Sequence, residues 1–196
     1  MKRVPVALVY LRALCVAAML TAGITRARGI VLAIIVSVAF VSDVFDGIIA
    51  RRLGVATPGL RRADTIVDTA FYIGAALTLL LRTPGVVWAS RYGVALLVVL
   101  EGIRLFVDRR KFGRMAAYHM WSAKAWGLAL WLGFCEAFLT GRPGPLFRLA
   151  VGLGIAADLE GLAASRVLSR WTHDVPTVWH AVRIERGRHD PAEASG

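Results

Sequence analysis

The chain has 196 residues, 57% of them hydrophobic, with a mean hydropathy of +0.61, 24 basic and 13 acidic side chains, and a formal net charge of +11. That apolar content is foreign to a water-soluble domain, and apolar stretches recur along almost the whole length, so an all-α membrane protein is expected, its helices bundled in lipid. Nucleic acid is not expected as the partner of the basic excess, because the arginines sit mainly between apolar runs, where they set topology and meet anionic headgroups.

In chain order the pattern predicts six transmembrane helices, at 4–23, 29–51, 62–82, 85–107, 117–140 and 144–167, each close to the ~20 residues a bilayer requires. Met1-Lys2-Arg3 followed by the apolar run from Val4 to Leu20 resembles a signal peptide, but further spans follow, so it reads as a retained first helix. Turn formers combined with charge break the helices at Arg26-Ala27-Arg28-Gly29, Thr57-Pro58-Gly59 and Thr83-Pro84-Gly85, in the basic run after Asp108, and at Gly141-Arg142-Pro143-Gly144-Pro145. With the N-terminus inside, fifteen basic residues of the ends and connections fall on the cytoplasmic side and six opposite, which predicts N-in and C-in, multi-pass in the cell (inner) membrane. From Trp171 to Gly196 the chain is polar and is expected to fray, with Trp171 and Trp179 at headgroup level. Cys15 and Cys135 lie inside apolar runs without metal-ligand spacing and are expected as buried thiols.

Four of the thirteen acidic residues fall in one stretch, from Asp43 and Asp46 to Asp64 and Asp68. An aspartate in a membrane helix costs about 2.5 to 3.5 kcal/mol on insertion scales, so four unpaired and deep would cost roughly 10 kcal/mol, and something must offset it. At about 100° per residue, Asp43, Asp46, Gly47, Ala50 and Arg51 share an arc of roughly 140° on the second helix. Asp64 and Asp68, spaced i and i+4, share a face of the third, and the short turn makes the two helices antiparallel neighbours. Four carboxylates converging near the cytoplasmic end repel one another unless protonated or bridged, and Mg²⁺ or Mn²⁺ suits such hard oxygen donors. Gly47 and Ala50 leave a gap on the acidic face for a planar base or a phosphate, and Arg51 can neutralise a phosphate oxygen. The bland alternative is a set of boundary ion pairs with Arg51, Arg52, Arg61 or Arg62.

This stretch resembles the signature of the CDP-alcohol phosphatidyltransferase family, D-x2-D-G-x2-A-R-x8-G-x3-D-x3-D, at seven of eight fixed positions with the spacing intact. The departure is Leu60 at the second glycine, with Gly59 just before it, which bears on backbone approach there. Pro5 with Leu11-Arg12 resembles the family's first-helix opening, without its usual Asn-x-x-Thr. The resemblance implies that Asp43, Asp46 and Asp64 hold two divalent ions with Asp68 beside them as general base, and that Asp43, Asp46, Gly47, Ala50, Arg51, Gly59 and Asp64 line the nucleotide pocket. It also implies a homodimer, residues 1–170 as a six-helix catalytic domain with 171–196 as its cytoplasmic tail, and attack of an acceptor hydroxyl on the β-phosphorus of CDP-diacylglycerol or another CDP-alcohol, releasing CMP at the cytoplasmic face.

Beyond the signature, the run Asp108-Arg109-Arg110-Lys111-Phe112-Gly113-Arg114 offers Arg109, Arg110 and Arg114 to the phosphate of an acceptor, against the plainer reading of a positive-inside signal touching anionic lipid. Lys124, about two turns into the fifth helix, calls for a phosphate or carboxylate partner. Arg104 and Glu101, spaced i and i+3, are read first as a mutual pair and second as substrate contacts. Tyr118 and His119 are expected at the interface, and Asp158 and Glu160 in ion pairs or a dimer contact. Two rival functions are a cation transporter that passes ions along the aspartates, and a catalytically inactive family member altered at Leu60. The gathering of the carboxylates at one end, with no path through the bilayer, weighs against transport.

Overall fold

The computed structural model describes residues 4–53, 58–115, 118 and 120–189; within them, the side chains of 4–6, 50–53, 58, 60–62 and 189 lie outside the described set. The described residues form eight helices and no strand: α1 (Val4–Ile24), α2 (Gly29–Leu53), α3 (Pro58–Arg82), α4 (Pro84–Ala89), α5 (Arg91–Phe112), α6 (Trp121–Thr140), α7 (Pro145–Val167) and α8 (Val178–His189). The chain divides into two compact units, Met1–Ala89 with Trp131–Phe147, and Ser90–Leu130 with Arg148–Gly196.

In the first unit α1 packs against both α2 and α3. The buried stripe of α1 runs Val9, Arg12, Cys15, Met19, Ala22, in steps of three and four that keep one face inward. On α2 the stripe is Leu32, Val36, Ala39, Ser42, Asp46, and on α3 the apolar positions are Phe71, Ala75 and Leu79. The site is therefore a polar continuation of three apolar stripes. The opposite faces expose Tyr10, Leu14, Ile34, Val38, Phe45, Ile73 and Leu81, among other large apolar side chains, an arrangement costly in water and natural in lipid. Close helix approach is made by small residues: Gly23 meets Thr78, whose hydroxyl donates to the Met19 carbonyl at 3.4 Å. At Gly29 a β-carbon would overlap the Phe138 carbonyl, backbone that cannot swing aside. Gly29→Ala is expected to cost about 1 to 3 kcal/mol, read as a lowered thermal unfolding midpoint in detergent.

Among the described residues, three helical stretches are long and apolar enough to cross a membrane: Ala7–Ile24, Gly29–Ile49 and Ala63–Arg82. Of the six expected spans, those over α5, α6 and α7 do not reach this apolarity, because these helices, though 20 to 23 residues long, carry Glu101, Arg104, Asp108, Lys124, Glu136, Asp158 and Glu160. The fourth expected helix also differs: it is broken at Ser90 into α4 and α5, and α5 continues past residue 107 to Phe112, where Gly113 takes the left-handed conformation (φ 69°) and donates its N–H to the Arg109 carbonyl.

In the second unit α5 and α7 are tied by buried polar groups. The Ser165 hydroxyl donates to Asp108 at 2.5 Å and lies 2.9 Å from the Tyr118 hydroxyl, all three buried. Tyr118 is thus inside, in a core with Met120, Ala164, Leu168, Val175 and Ala181, and not interfacial as its sequence context suggested; burial pushes its hydroxyl pKa up. His119 lies outside the described residues. The stretch expected to fray is instead docked as far as residue 189. Glu160 accepts the Val178 N–H at the start of α8, Glu185 accepts the Ser169 N–H at 3.1 Å, and Arg114 stacks 3.9 Å over the Trp171 ring. Its apolar residues Val175, Val178, Ala181 and Ile184 recur at helical spacing and find the core, a signal that overall polarity concealed.

Hydrogen bonds from Ser169, and then the Arg188 guanidinium, hold the Glu185 carboxyl down at about 2, against an ordinary 4.5. A group depressed in the folded protein supports docking above its unfolded value and loses that support as pH falls from about 4.5 through 2. Amide exchange in α8, corrected for the intrinsic effect of pH, should accelerate over that window, and Glu185→Gln should remove the transition.

Candidate functional site

The cluster lies wholly within the first unit. Asp43 and Asp46 sit one turn apart on α2, while Asp64 and Asp68 sit one turn apart on α3, and α1, packed against both helices, carries the Arg12 guanidinium on which all four carboxylates converge. One oxygen from each of Asp43, Asp64 and Asp68 lies within 4.8 Å of the others, a spacing that one hard cation can bridge. Asp46, the fourth aspartate expected there, is not in that group and reaches it through the Arg12 guanidinium.

The centre of the cluster is held by Arg12 of α1, 1% exposed. Its Nη1 donates to Asp64 Oδ1 at 2.7 Å and to Asp68 Oδ1, and lies 3.4 Å from Asp43; its Nη2 is 3.8 Å from Asp46 Oδ2. Sequence reasoning placed Arg12 in the family opening and did not assign it to the site. The available signal was its position as the one charge in the apolar run from Val4 to Leu20, since an intramembrane charge marks a functional position by default. The ion pairs with Arg51, Arg52, Arg61 or Arg62 weighed as the bland alternative fall on side chains outside the described set.

Exposure separates the four carboxylates. Asp46 is buried, with its Oδ1 free of any hydrogen bond, whereas the Asp43 side chain is 44% exposed and those of Asp64 and Asp68 are 31% and 26% exposed. The site is thus open on the side of Asp43 and closed beneath. Val36, Ala39, Phe40, Phe71, Tyr72 and Trp131 line a small void against Arg12, Asp43 and Asp68. Phe40 stacks on Trp131 at 4.8 Å, and the Trp131 N–H donates to the Ser37 hydroxyl at 3.0 Å. This floor keeps the carboxylates in a low-dielectric setting, where attraction for a divalent ion is stronger than in water. The donor set of Asp43, Asp64 and Asp68 fits Mg²⁺ or Mn²⁺, being all oxygen and anionic, and the buried Asp46 Oδ1 beside it has no hydrogen bond.

The remaining candidates are placed as follows. Gly47 lies half-buried on α2 beside Asp46, and Gly59 is in the exposed first turn of α3, with nothing within 4 Å of where its β-carbon would be. The side chains of Ala50, Arg51 and Leu60 lie outside the described set. Arg104, Arg109, Arg110, Arg114 and Lys124 all belong to the second unit. Arg104 is bound to Glu101 at 2.6 Å and to Asp158 at 2.9 Å, so the mutual pair is present and Asp158 joins it. Arg109 and Arg110 are exposed in the last turn of α5, Arg110 5.9 Å over the Phe106 ring, and Lys124 lies 4.4 Å over the Trp121 ring. Lys111 donates to the carbonyls of Ser165 and Arg166 at the end of α7. Cys15 is buried and Cys135 half-buried, and both are free thiols.

No curated protein and no solved structure matches the chain. The CDP-alcohol phosphatidyltransferase family matches across residues 2–171, nearly the whole of the described chain and all of the aspartate cluster. With the apolar spans and the cluster in place, the protein belongs to the CDP-alcohol phosphatidyltransferase family, membrane transferases of phosphate-containing groups in phospholipid synthesis.

Proposed function

We propose that the protein transfers a phosphoalcohol group from a CDP-linked donor, CDP-diacylglycerol in the first instance, to an acceptor hydroxyl, with release of CMP. The convergence of four aspartates from α2 and α3 carries this reading. Asp43, Asp46, Asp64 and Asp68 hold two divalent ions, Mg²⁺ or Mn²⁺, which when bound neutralise the charge of the pyrophosphate and its leaving group. Gly47, Ala50, Arg51 and Gly59 line the nucleotide pocket with Asp43, Asp46 and Asp64. Asp68 takes the proton of the acceptor hydroxyl. The acceptor oxygen then bonds to the β-phosphorus, the bond from that phosphorus to the bridging oxygen breaks, and the electron pair leaves on CMP.

An apolar groove of about 690 Å³ supports a lipid-linked donor: Val38, Val41, Phe45 and Ile49 of α2 line it with Leu8 and Leu11 of α1, on residues interleaved with Asp43 and Asp46. Donor tails can lie there while the headgroup reaches the carboxylates. Six spans, a cytoplasmic N-terminus, C-terminus and active site in the inner membrane, and a homodimer complete the reading. Arg104, Arg109, Arg110, Arg114 and Lys124 are its candidates for binding a phosphorylated acceptor. Purified protein supplied with radiolabelled CDP-diacylglycerol and a panel of acceptors (glycerol 3-phosphate, inositol phosphate, inositol, serine) tests it. Metal-dependent CMP release with one acceptor is expected; ion flux in liposomes without CMP release would replace the transferase by a transporter.

A further inference from the structure

Four carboxylates and one guanidinium leave the cluster with a formal charge of −3 when all are ionised, and Arg12 stands where the aspartates converge. The pairing is crowded and incomplete at once. Nη1 alone serves Asp43, Asp64 and Asp68, while the buried Nε and Nη2 of Arg12 make no hydrogen bond, nor does the buried Oδ1 of Asp46. A guanidinium serving as a structural brace spends its fork on parallel bonds to one carboxylate. Here Nε makes no hydrogen bond and Nη2 only a 3.8 Å ion pair with Asp46, and buried donors left unmade are costly.

We infer that Arg12 is an internal counter-ion which divalent metal has to displace. It keeps the four aspartates assembled in the ion-free protein, lowers their affinity for free divalent ions, and gives its unspent donors to the pyrophosphate once ions enter. The inference rests on the metal-dependent reading above. Its physical basis is competition, since Arg12 and an incoming ion seek the same three aspartates, Asp43, Asp64 and Asp68. A metal with no nucleotide must break these contacts without compensation. A metal arriving with a pyrophosphate brings the guanidinium a new anionic partner, so ion and nucleotide favour each other's binding.

The test titrates Mn²⁺ into the purified full chain in detergent, without nucleotide, reading free Mn²⁺ by electron paramagnetic resonance. Arg12→Gln is expected to bind Mn²⁺ at least tenfold more tightly than wild type, with Arg12→Lys between them. Tighter binding is a gain that a damaged fold does not produce. In the presence of CDP the gap between wild type and Arg12→Gln should shrink below threefold. Equal or weaker Mn²⁺ binding by Arg12→Gln overturns the counter-ion role and leaves the metal centre standing, whereas no Mn²⁺ bound by either protein overturns both. A gap that persists with CDP overturns the hand-over to pyrophosphate. Where Arg12→Gln fails to fold, Arg12→Lys carries the test: its ammonium lacks the forked reach of a guanidinium, at least threefold tighter Mn²⁺ binding is expected, and unchanged affinity overturns the inference.

Discussion

Asp68→Asn is expected to lower kcat at least a thousandfold while leaving the equilibrium affinity for a CDP donor within about threefold of wild type. Asparagine keeps the volume of the side chain and one oxygen, so the apolar stripe that continues into Phe71 and Ala75 has no reason to move. What it loses is the ability to accept a proton, and a positioned general base contributes roughly 10² to 10⁴ in rate. Asp68 also lies among the metal-facing oxygens, and the loss of one negative charge there adds to the effect on the transfer step. The split between binding and turnover is the diagnostic part. Turnover within tenfold of wild type would remove the base assignment, and a parallel loss of CDP affinity would recast Asp68 as a binding residue.

Removing divalent ions is expected to have an effect of similar size and to be reversible. Dialysis against chelator should reduce CMP release at least a thousandfold, and Mg²⁺ or Mn²⁺ should restore it, because without ions the cluster presents net negative charge to an anionic pyrophosphate. Helix content should not change on chelation, since Arg12 bonds to Asp64 and Asp68 and so ties α1 to α3. Full activity after exhaustive chelation would eliminate the metal-assisted mechanism. Loss of activity together with loss of helix would show that ions, not Arg12, assemble the site.

The helices and the cluster were legible in the sequence for a common reason. A span must be apolar, so charges inside one are conspicuous, and Asp43, Asp46, Asp64 and Asp68 stood out at spacings that fix their faces. Three features escaped. Arg12 was visible as a lone charge, but its partners lie 52 and 56 residues away on α3, and no local spacing links them. The helix α8 was hidden by its basic composition, because only Val178, Ala181 and Ile184 face the core and three apolar residues do not mark a twelve-residue helix as buried. The break at Ser90 was missed because its signal is short: only Ser90 and Arg91 interrupt apolar runs on either side, with no proline between them.

The described charged side chains that meet in the cluster, from Arg12 to Asp68, come from one uninterrupted third of the chain, whereas the basic candidates for acceptor binding come from residues 104 to 124. Substitutions between residues 104 and 124 are expected to leave the transfer chemistry untouched. Such a layout lets descendants of one ancestor change the alcohol they esterify while inheriting the same bond-making apparatus, so divergence in lipid product is expected to track sequence drift after residue 89 and not within the opening block.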